Sequence, residues 1–271
     1  MPTPTTSPPP ATTRIEATTD GRRAGVRMGG GVLRVVVLER GPRRVSVALV
    51  PTTALLLAGD RVRIELRVGE GCLLEVTEPA GTVAYDMRGD AGRWQVDVQV
   101  ADGAGLVWQA PEFVVSQGAH VERRTTVRLA GDASCLLRET LVLGRTGEGP
   151  GRLVATTSVT RDDLPVLQER LVAGPQTQVP GILGGHRVID QVLDLGSPVD
   201  PTGTDPTGTD PAVSGPTQDP PPMLLAAGGR LHRRLADAAH EGCLDDIWAG
   251  LAAGHRAGSV AAGTDSGRIA T

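Results

Sequence analysis

Residues 61–68 read Arg-Val-Arg-Ile-Glu-Leu-Arg-Val, which puts Val62, Ile64, Leu66 and Val68 on one side and Arg61, Arg63, Glu65 and Arg67 on the other. Side chains of a strand point alternately to its two faces, so this pattern predicts a strand with one face buried and one in water. Trp94–Val100 follows the same rule, with Trp94, Val96, Val98 and Val100 inward. Further strands are expected at 33–38, 44–50, 73–77, 106–109, 121–129, 136–143, 153–160 and 166–172, separated by turn-forming stretches such as Gly69-Glu-Gly71, Gly131-Asp132 and Gly144–Gly151. The chain therefore reads as mostly β.

Three strand–turn–strand units resemble one another: IELRVGEGCLLEV from Ile64, VQVADGAGLVWQA from Val98 and VRLAGDASCLLRE from Val127. Their matching positions, Val68, Val100 and Leu129, fall 32 and 29 residues apart. A unit recurring every 30 residues or so marks stacked, β-helix-like layered strands, each coil covering the apolar face of the next. An ordinary β-sandwich with regular turn spacing also satisfies this pattern.

Composition limits the function classes. Phe113, Tyr85, Trp94, Trp108 and Trp248 are the only aromatic residues, too few for a base-stacking platform on single-stranded nucleic acid. The 27 basic residues are all Arg, and against 31 acidic residues they leave a formal charge of -4, so no basic field points to nucleic acid. Cys72, Cys135 and Cys243 are odd in number and widely spaced, which argues against a disulfide scaffold or a structural zinc site. The start, MPTPTTSPPPATT, has no basic and apolar leader, and no long apolar run follows, so a soluble, cytoplasmic chain is expected.

Five segments are expected. Residues 1–13 form a Pro/Thr-rich disordered tail, 14–195 the β-rich domain, and 196–222 a Pro/Thr/Gly-rich linker or loop with PTGTD twice in tandem. Residues 223–253 are read as a strand followed by helical sequence packing on the β-domain, and 254–271 as a frayed tail. Leu231 with Leu235, and Leu244 with Ile247, Trp248 and Leu251, predict two short C-terminal α-helices, Gly229–His240 and Leu244–Leu251.

No nucleophile elbow, phosphate-cradling glycine loop or His-Glu-x-x-His metal motif occurs, and His232 and His240, eight apart on the expected helix, cannot share a metal. Carboxylates say more. In 137–143, Leu137, Leu141 and Leu143 form an apolar face that Glu139 interrupts. A carboxylate facing a core must meet an arginine, a hydrogen-bonded network or water. It is either ion-paired to an Arg or part of a polar passage, lined with Glu112, Asp60 and Glu148, that holds a divalent ion loosely.

Between Leu57 and Glu148 the chain carries, in order, AGD at Ala58–Asp60, VGEGCLLEVT ending at Thr77, PAGTVAY at Pro79–Tyr85, GAGLVWQAPE at Gly103–Glu112, RRTTVRL at Arg123–Leu129 and LLRETLVLGRTGE at Leu136–Glu148. Over this span the chain resembles the urease accessory protein UreD (UreH) family. The departures include Ala58 where many relatives carry Gly, and a segment after Glu112 reduced to Phe113-Val-Val115. The resemblance implies a non-enzymatic nickel-insertion chaperone with a β-rich, helix-poor fold. Its implied partners are UreF, UreG through UreF, and apo-urease. No cofactor is implied as tightly bound; nickel is in transit through an internal water-filled tunnel. The residues carried over are Asp60, Glu112, Glu139 and Glu148 for the metal path, and Thr77, Tyr85 and Arg145 as partner-binding or fold-keeping positions. Two other classes stay open beside this one: a β-solenoid carbohydrate-active enzyme and a generic β-rich interaction module.

Overall fold

A computed structural model describes residues 11–196, 221–226, 228–241 and 243–261. The chain opens with β1 (Ala11–Thr19), β2 (Ala24–Gly29) and β3 (Leu33–Arg40). It then coils through β4 (Arg44–Pro51), β5 (Arg61–Val68), β6 (Leu73–Thr77), β7 (Thr82–Ala84), β8 (Gly92–Val100), β9 (Gly105–Val115), β10 (His120–Leu129), β11 (Ser134–Leu143) and β12 (Arg152–Arg161). After β13 (Leu164–Ala173) come β14 (Val188–Leu195), β15 (Met223–Leu224), β16 (Arg230–Ala236) and the helix α1 (Asp245–Ala261).

Successive coil strands alternate between two stacked sheets. Sheet A runs β13-β12-β10-β8-β5-β1-β2, and sheet B runs β15-β16-β14-β11-β9-β6-β4-β3 with β7 also paired to β9. Within each, the coil strands are parallel, while antiparallel strands close both ends. Val68 lies in register with Val100, and Val100 with Leu129, so the predicted repeat is the stacking step of the solenoid. A further step takes Leu129 to Arg161, 32 residues on.

The turns repeat with the strands. Gly71, Gly103 and Gly131 take positive φ of 62°, 60° and 47°, a conformation that glycine adopts without a Cβ penalty. Each turn is closed by the next buried residue's amide: Cys72 to Gly69 O (3.1 Å), Ala104 to Ala101 O (3.1 Å) and Ala133 to Ala130 O (2.9 Å).

The aliphatic faces of both sheets make one continuous core, including Ile64, Leu66, Leu74, Leu106, Leu141 and Leu143. The outer face of sheet A is a ladder of opposite charges, with Arg14 on Glu65 (2.8 Å), Arg63 on Asp97 (3.0 Å) and Arg93 on Glu122 (2.7 Å). The outer face of sheet B is instead apolar at Leu73, Val107, Leu136 and Val192, and Leu244, Trp248 and Ala252 cover it. Polar pins hold that cover in place: Leu244 N to Asp190 (2.9 Å), His255 to Asp194 (2.8 Å), Arg256 to Glu75 (3.0 Å), and the Arg138–Asp245 pair.

Several expectations are corrected. Instead of two C-terminal helices there is one among the described residues, because 230–236 is the strand β16. The four-residue spacing of Leu231 and Leu235 is also two strand repeats, and pairing with β14 decides between them, Leu231 opposite Leu193 and Leu235 opposite Ile189. Helix α1 runs to Ala261, past the expected end of order at 253. Residues 11–13, expected in the N-terminal tail, belong to β1, with Thr13 buried and donating to Leu33 O (3.1 Å). Strands β1, β2, β7 and β14 are not among the strands expected from the sequence. The PTGTD repeats lie outside the described residues.

Candidate functional site: a polar line between the sheets

At Glu139 the regular ladder is interrupted. Arg138 pairs with Gln109 but Thr140 pairs with Glu112, so β9 carries one residue more than β11 here, around Ala110-Pro111. Proline offers no N–H to a ladder and is tolerated in a sheet at such a bulge. At the same level sheet B is broken a second time, because β6 stops at Thr77 and β7 begins at Thr82. The interior-facing positions beside these breaks are polar rather than aliphatic.

From Arg123 onward they are hydrogen-bonded into a line, and the Glu78–Trp108 pair adjoins it across a cavity that Trp108 and Arg123 both line. Glu78, between β6 and β7, accepts a hydrogen bond from Trp108 Nε1 (3.0 Å). Arg123 of β10 lies over the Phe113 ring, 4.9 Å from its centroid, and donates through Nη2 to Glu139. Gln191 Nε2 of β14 donates to the other oxygen of Glu139 (2.9 Å). The Gln191 carbonyl accepts from Arg233 Nη2 of β16 (2.6 Å), and Arg233 grips Glu169 of β13 through two bonds of 2.8 and 2.7 Å. Together they follow the stacking axis from β6 to β16.

Two cavities meet at Glu139. Both are lined by Thr125, Leu137 and Glu139; one extends to Trp108 and Arg123, the other to Gln191 and Glu169. Each has a volume of about 20 Å³, room for one water molecule. They are two distinct cavities.

Burial pushes the Glu78 carboxyl up to about 7. The nearby charge of Arg123 and the Trp108 hydrogen bond oppose that rise, and the charge of Glu139 adds to it.

Of the four carboxylates expected to line a passage, only Glu139 is in this line: it is ion-paired to Arg123, and it borders both cavities. Asp60 accepts the amide of Leu57 (2.7 Å) and closes the turn before β5. Glu148 accepts from Arg145 Nε (2.9 Å), from the Arg145 amide (3.2 Å) and from the Gln117 amide (3.3 Å), contacts that hold its carboxyl below the usual range, led by the Arg145 side-chain bond. Glu112 is exposed on β9. Among the described residues no group of three or more His, Cys, Asp or Glu is placed to hold a metal ion. Arg145 is taken up by its bond to Glu148, Tyr85 is 38% exposed at a strand end, and Thr77 ends β6 opposite Gln109.

Glu78, Arg123, Gln191, Arg233 and Glu169 were not singled out by sequence. Arg123 was within reach: it shares the odd, inward parity of Val121, Val127 and Leu129, so a charge there is as costly as one at Glu139.

Residues 15–214 match the model of the UreD urease accessory protein family. The chain belongs to the UreD family. Among its relatives, Urease accessory protein UreD 1 of Streptomyces griseus subsp. griseus is 43% identical over 156 residues, covering 57% of this chain and 61% of the relative. UreD 3 of the same organism is 33% identical over 257 residues, 88% of this chain and 98% of the relative. UreD of Streptomyces coelicolor is 34% identical over 191 residues, 68% of this chain and 75% of the relative. The UreD match takes in the whole solenoid and β14, and therefore the polar residues from Glu78 through Gln191; Arg233 falls beyond it. No helix of the described residues is long and apolar enough to cross a membrane.

Proposed function

We propose that this UreD-family chain is a non-catalytic scaffold of urease maturation that passes nickel along its interior polar line toward apo-urease while held by UreF and, through it, UreG. The observation that carries the reading is the meeting of two water-sized cavities at Glu139, inside the fold of a urease accessory family.

The chemistry of the line favours transit over storage. Its neutral oxygens are those of Gln191, Thr125 and Thr157, and its one carboxylate at the meeting of the cavities is Glu139, whose charge Arg123 balances. Such hard, oxygen-only surroundings bind a borderline divalent ion weakly compared with imidazole or thiolate. An ion arriving at Glu139 takes the place of the Arg123 cation, and the Phe113 ring keeps the displaced guanidinium in a favourable seat.

A sugar-cleaving solenoid fits less well. Its acid and base need two carboxylates facing each other across a surface cleft. A groove of about 340 Å³ at the strand ends of sheet A has one carboxylate, Glu16, in its lining.

The test is co-production of Glu139→Ala with the urease subunits and the other accessory proteins. The expected result is normal capture of UreF with urease that is short of nickel by metal analysis. Full nickel content with that variant removes Glu139 from the path.

A further inference from the structure

The stacking step that builds the solenoid also builds a groove. Three coil strands of sheet A end alike, in an outward polar residue, an inward aliphatic one and a small turn residue: Arg67-Val68-Gly69, Gln99-Val100-Ala101 and Arg128-Leu129-Ala130. Together they line the groove of about 340 Å³ that crosses these strand ends, with Glu16 of β1 at one side. Arg67 stands in register with Gln99, and Gln99 with Arg128. Neighbouring strands lie about 4.8 Å apart, so the two exposed arginines are rooted about 10 Å apart across Gln99.

Both cations lack a counter-charge. Among the described residues neither Arg67 nor Arg128 makes an ion pair, and the Gln99 side chain makes no hydrogen bond. The carboxylates of the same face are already taken: Glu65 by Arg14 (2.8 Å) and Arg63 (3.0 Å), Asp97 by Arg63 (3.0 Å), and Glu122 by Arg93 (2.7 Å). Glu16 lies 3.6 Å from Arg27. The backbone at the groove is spent as well, because the amides of Gly69, Ala101 and Ala130 donate to Ala17, Val68 and Val100. A ligand is therefore read by side chains: two guanidiniums that seek anions, one amide that can bond a peptide group, and aliphatic surface between them.

We propose that this groove binds an acidic peptide segment of a partner protein, held in the polyproline II conformation with two carboxylates three residues apart. That helix has three residues per turn and rises about 3.1 Å per residue, which sets both carboxylates on one face about 9 Å apart, close to the interval between the arginines. Two cations are too few for a phosphate polymer or an anionic membrane, whose sites gather several. The chain's own acidic stretch, 197–220, has Asp200, Asp205 and Asp210 five residues apart, a step of about 16 Å at the same rise, and does not match the pair. The groove shares no lining residue with the two interior cavities, so its test and that of the conduit fail separately.

The probe is the acetylated, amidated hexapeptide PEPPEP, titrated at low salt into the full ¹⁵N-labelled chain. The amides of Gly69, Ala101 and Ala130 should shift and saturate. Arg67→Gln and Arg128→Gln, both at exposed positions, should each weaken binding about tenfold, the loss of one charge-assisted contact. PPEEPP, which has the same charge on adjacent residues, should bind the parent chain no better than PEPPEP binds either variant. Equal binding of the two peptides overturns the proposal, as does an absence of shifts or binding that neither substitution weakens. Displacement of PEPPEP by oligouridine or by phosphatidylserine vesicles at equal charge makes the groove a phosphate site and overturns it too. So does tighter PEPPEP binding when Asp200, Asp205, Asp210 and Asp219 are together replaced by Asn, which makes the occupant the chain's own segment.

Discussion

Arg138 grips Asp190 through two hydrogen bonds, 3.3 Å from Nε and 2.9 Å from Nη2, at the seam where α1 meets sheet B. Asp190 is 1% exposed and also accepts from Thr140 Oγ1 (3.0 Å) and from the Leu244 amide (2.9 Å), just ahead of α1. One buried carboxylate thus joins β11, β14 and the start of the helix. Replacing it by Ala leaves the buried Arg138 guanidinium with Asp245 alone and removes the acceptor of Thr140 and the Leu244 amide, a break in a buried ion-pair network that costs about 3–5 kcal/mol. Asp190→Ala should lose about that much in urea unfolding, and amides of α1 should exchange with solvent faster than those of the coil strands.

The turn between β11 and β12 contains a paired test of backbone crowding. A Cβ on Gly151 would stand 2.2 Å from the Ser116 carbonyl oxygen and 2.9 Å from that of Val115, whereas one on Gly147 meets nothing within 4 Å. Gly147 does take a φ of +80°. Gly147→Ala should therefore cost about 1–2 kcal/mol through the left-handed backbone alone. Gly151→Ala forces the β9–β10 turn to move and should cost more, read by the same unfolding curves.

The thiols should differ in reactivity. Cys72 and Cys135 are fully buried, and burial pushes the Cys72 thiol up to about 11 and Cys135 higher still. A thiol that stays protonated and covered does not react. Cys243 is partly exposed. Alkylation of the native chain at pH 8 should label Cys243 alone, with all three labelled after denaturation.

Glu78 gives stability a pH dependence of definite sign. Its folded carboxyl titrates near 7 against an unfolded value of 4.5, so the folded state holds a proton that the unfolded state releases. The stabilisation is complete below about 4.5 and is lost as pH rises to about 7. Glu78→Gln should lack this decline, so chemical denaturation at pH 5 and pH 8 should show a smaller difference for the variant than for the parent.

The solenoid was legible because its signal is local and repeated. Val68, Val100 and Leu129 each end an alternating strand and precede a glycine turn, and stacking preserves that phase in space. The C-terminal part was less legible: residues 230–236 satisfy both helical and strand spacing, and only the presence of β14 makes them a strand. In the site, Glu139 betrayed itself by breaking an aliphatic face. Glu78 did not, because beside Pro79-Ala-Gly81 it reads as a solvated turn residue, and what turns it inward is the break between β6 and β7. Asp60 and Glu148 were read as path residues, yet backbone amides of their own turns occupy them. Sequence shows that a carboxylate is present but not which amides a turn aims at it.

The most direct test fills the interior space without touching a charge. Thr125 borders both cavities and is 5% exposed, so Thr125→Ile keeps the β-branched shape while placing an ethyl group where each cavity has room for one water. Urease matured with this variant should contain markedly less nickel than urease matured with the parent chain, with UreF captured equally by both. Full nickel content with Thr125→Ile, in a chain that folds and captures UreF, would contradict passage through the interior.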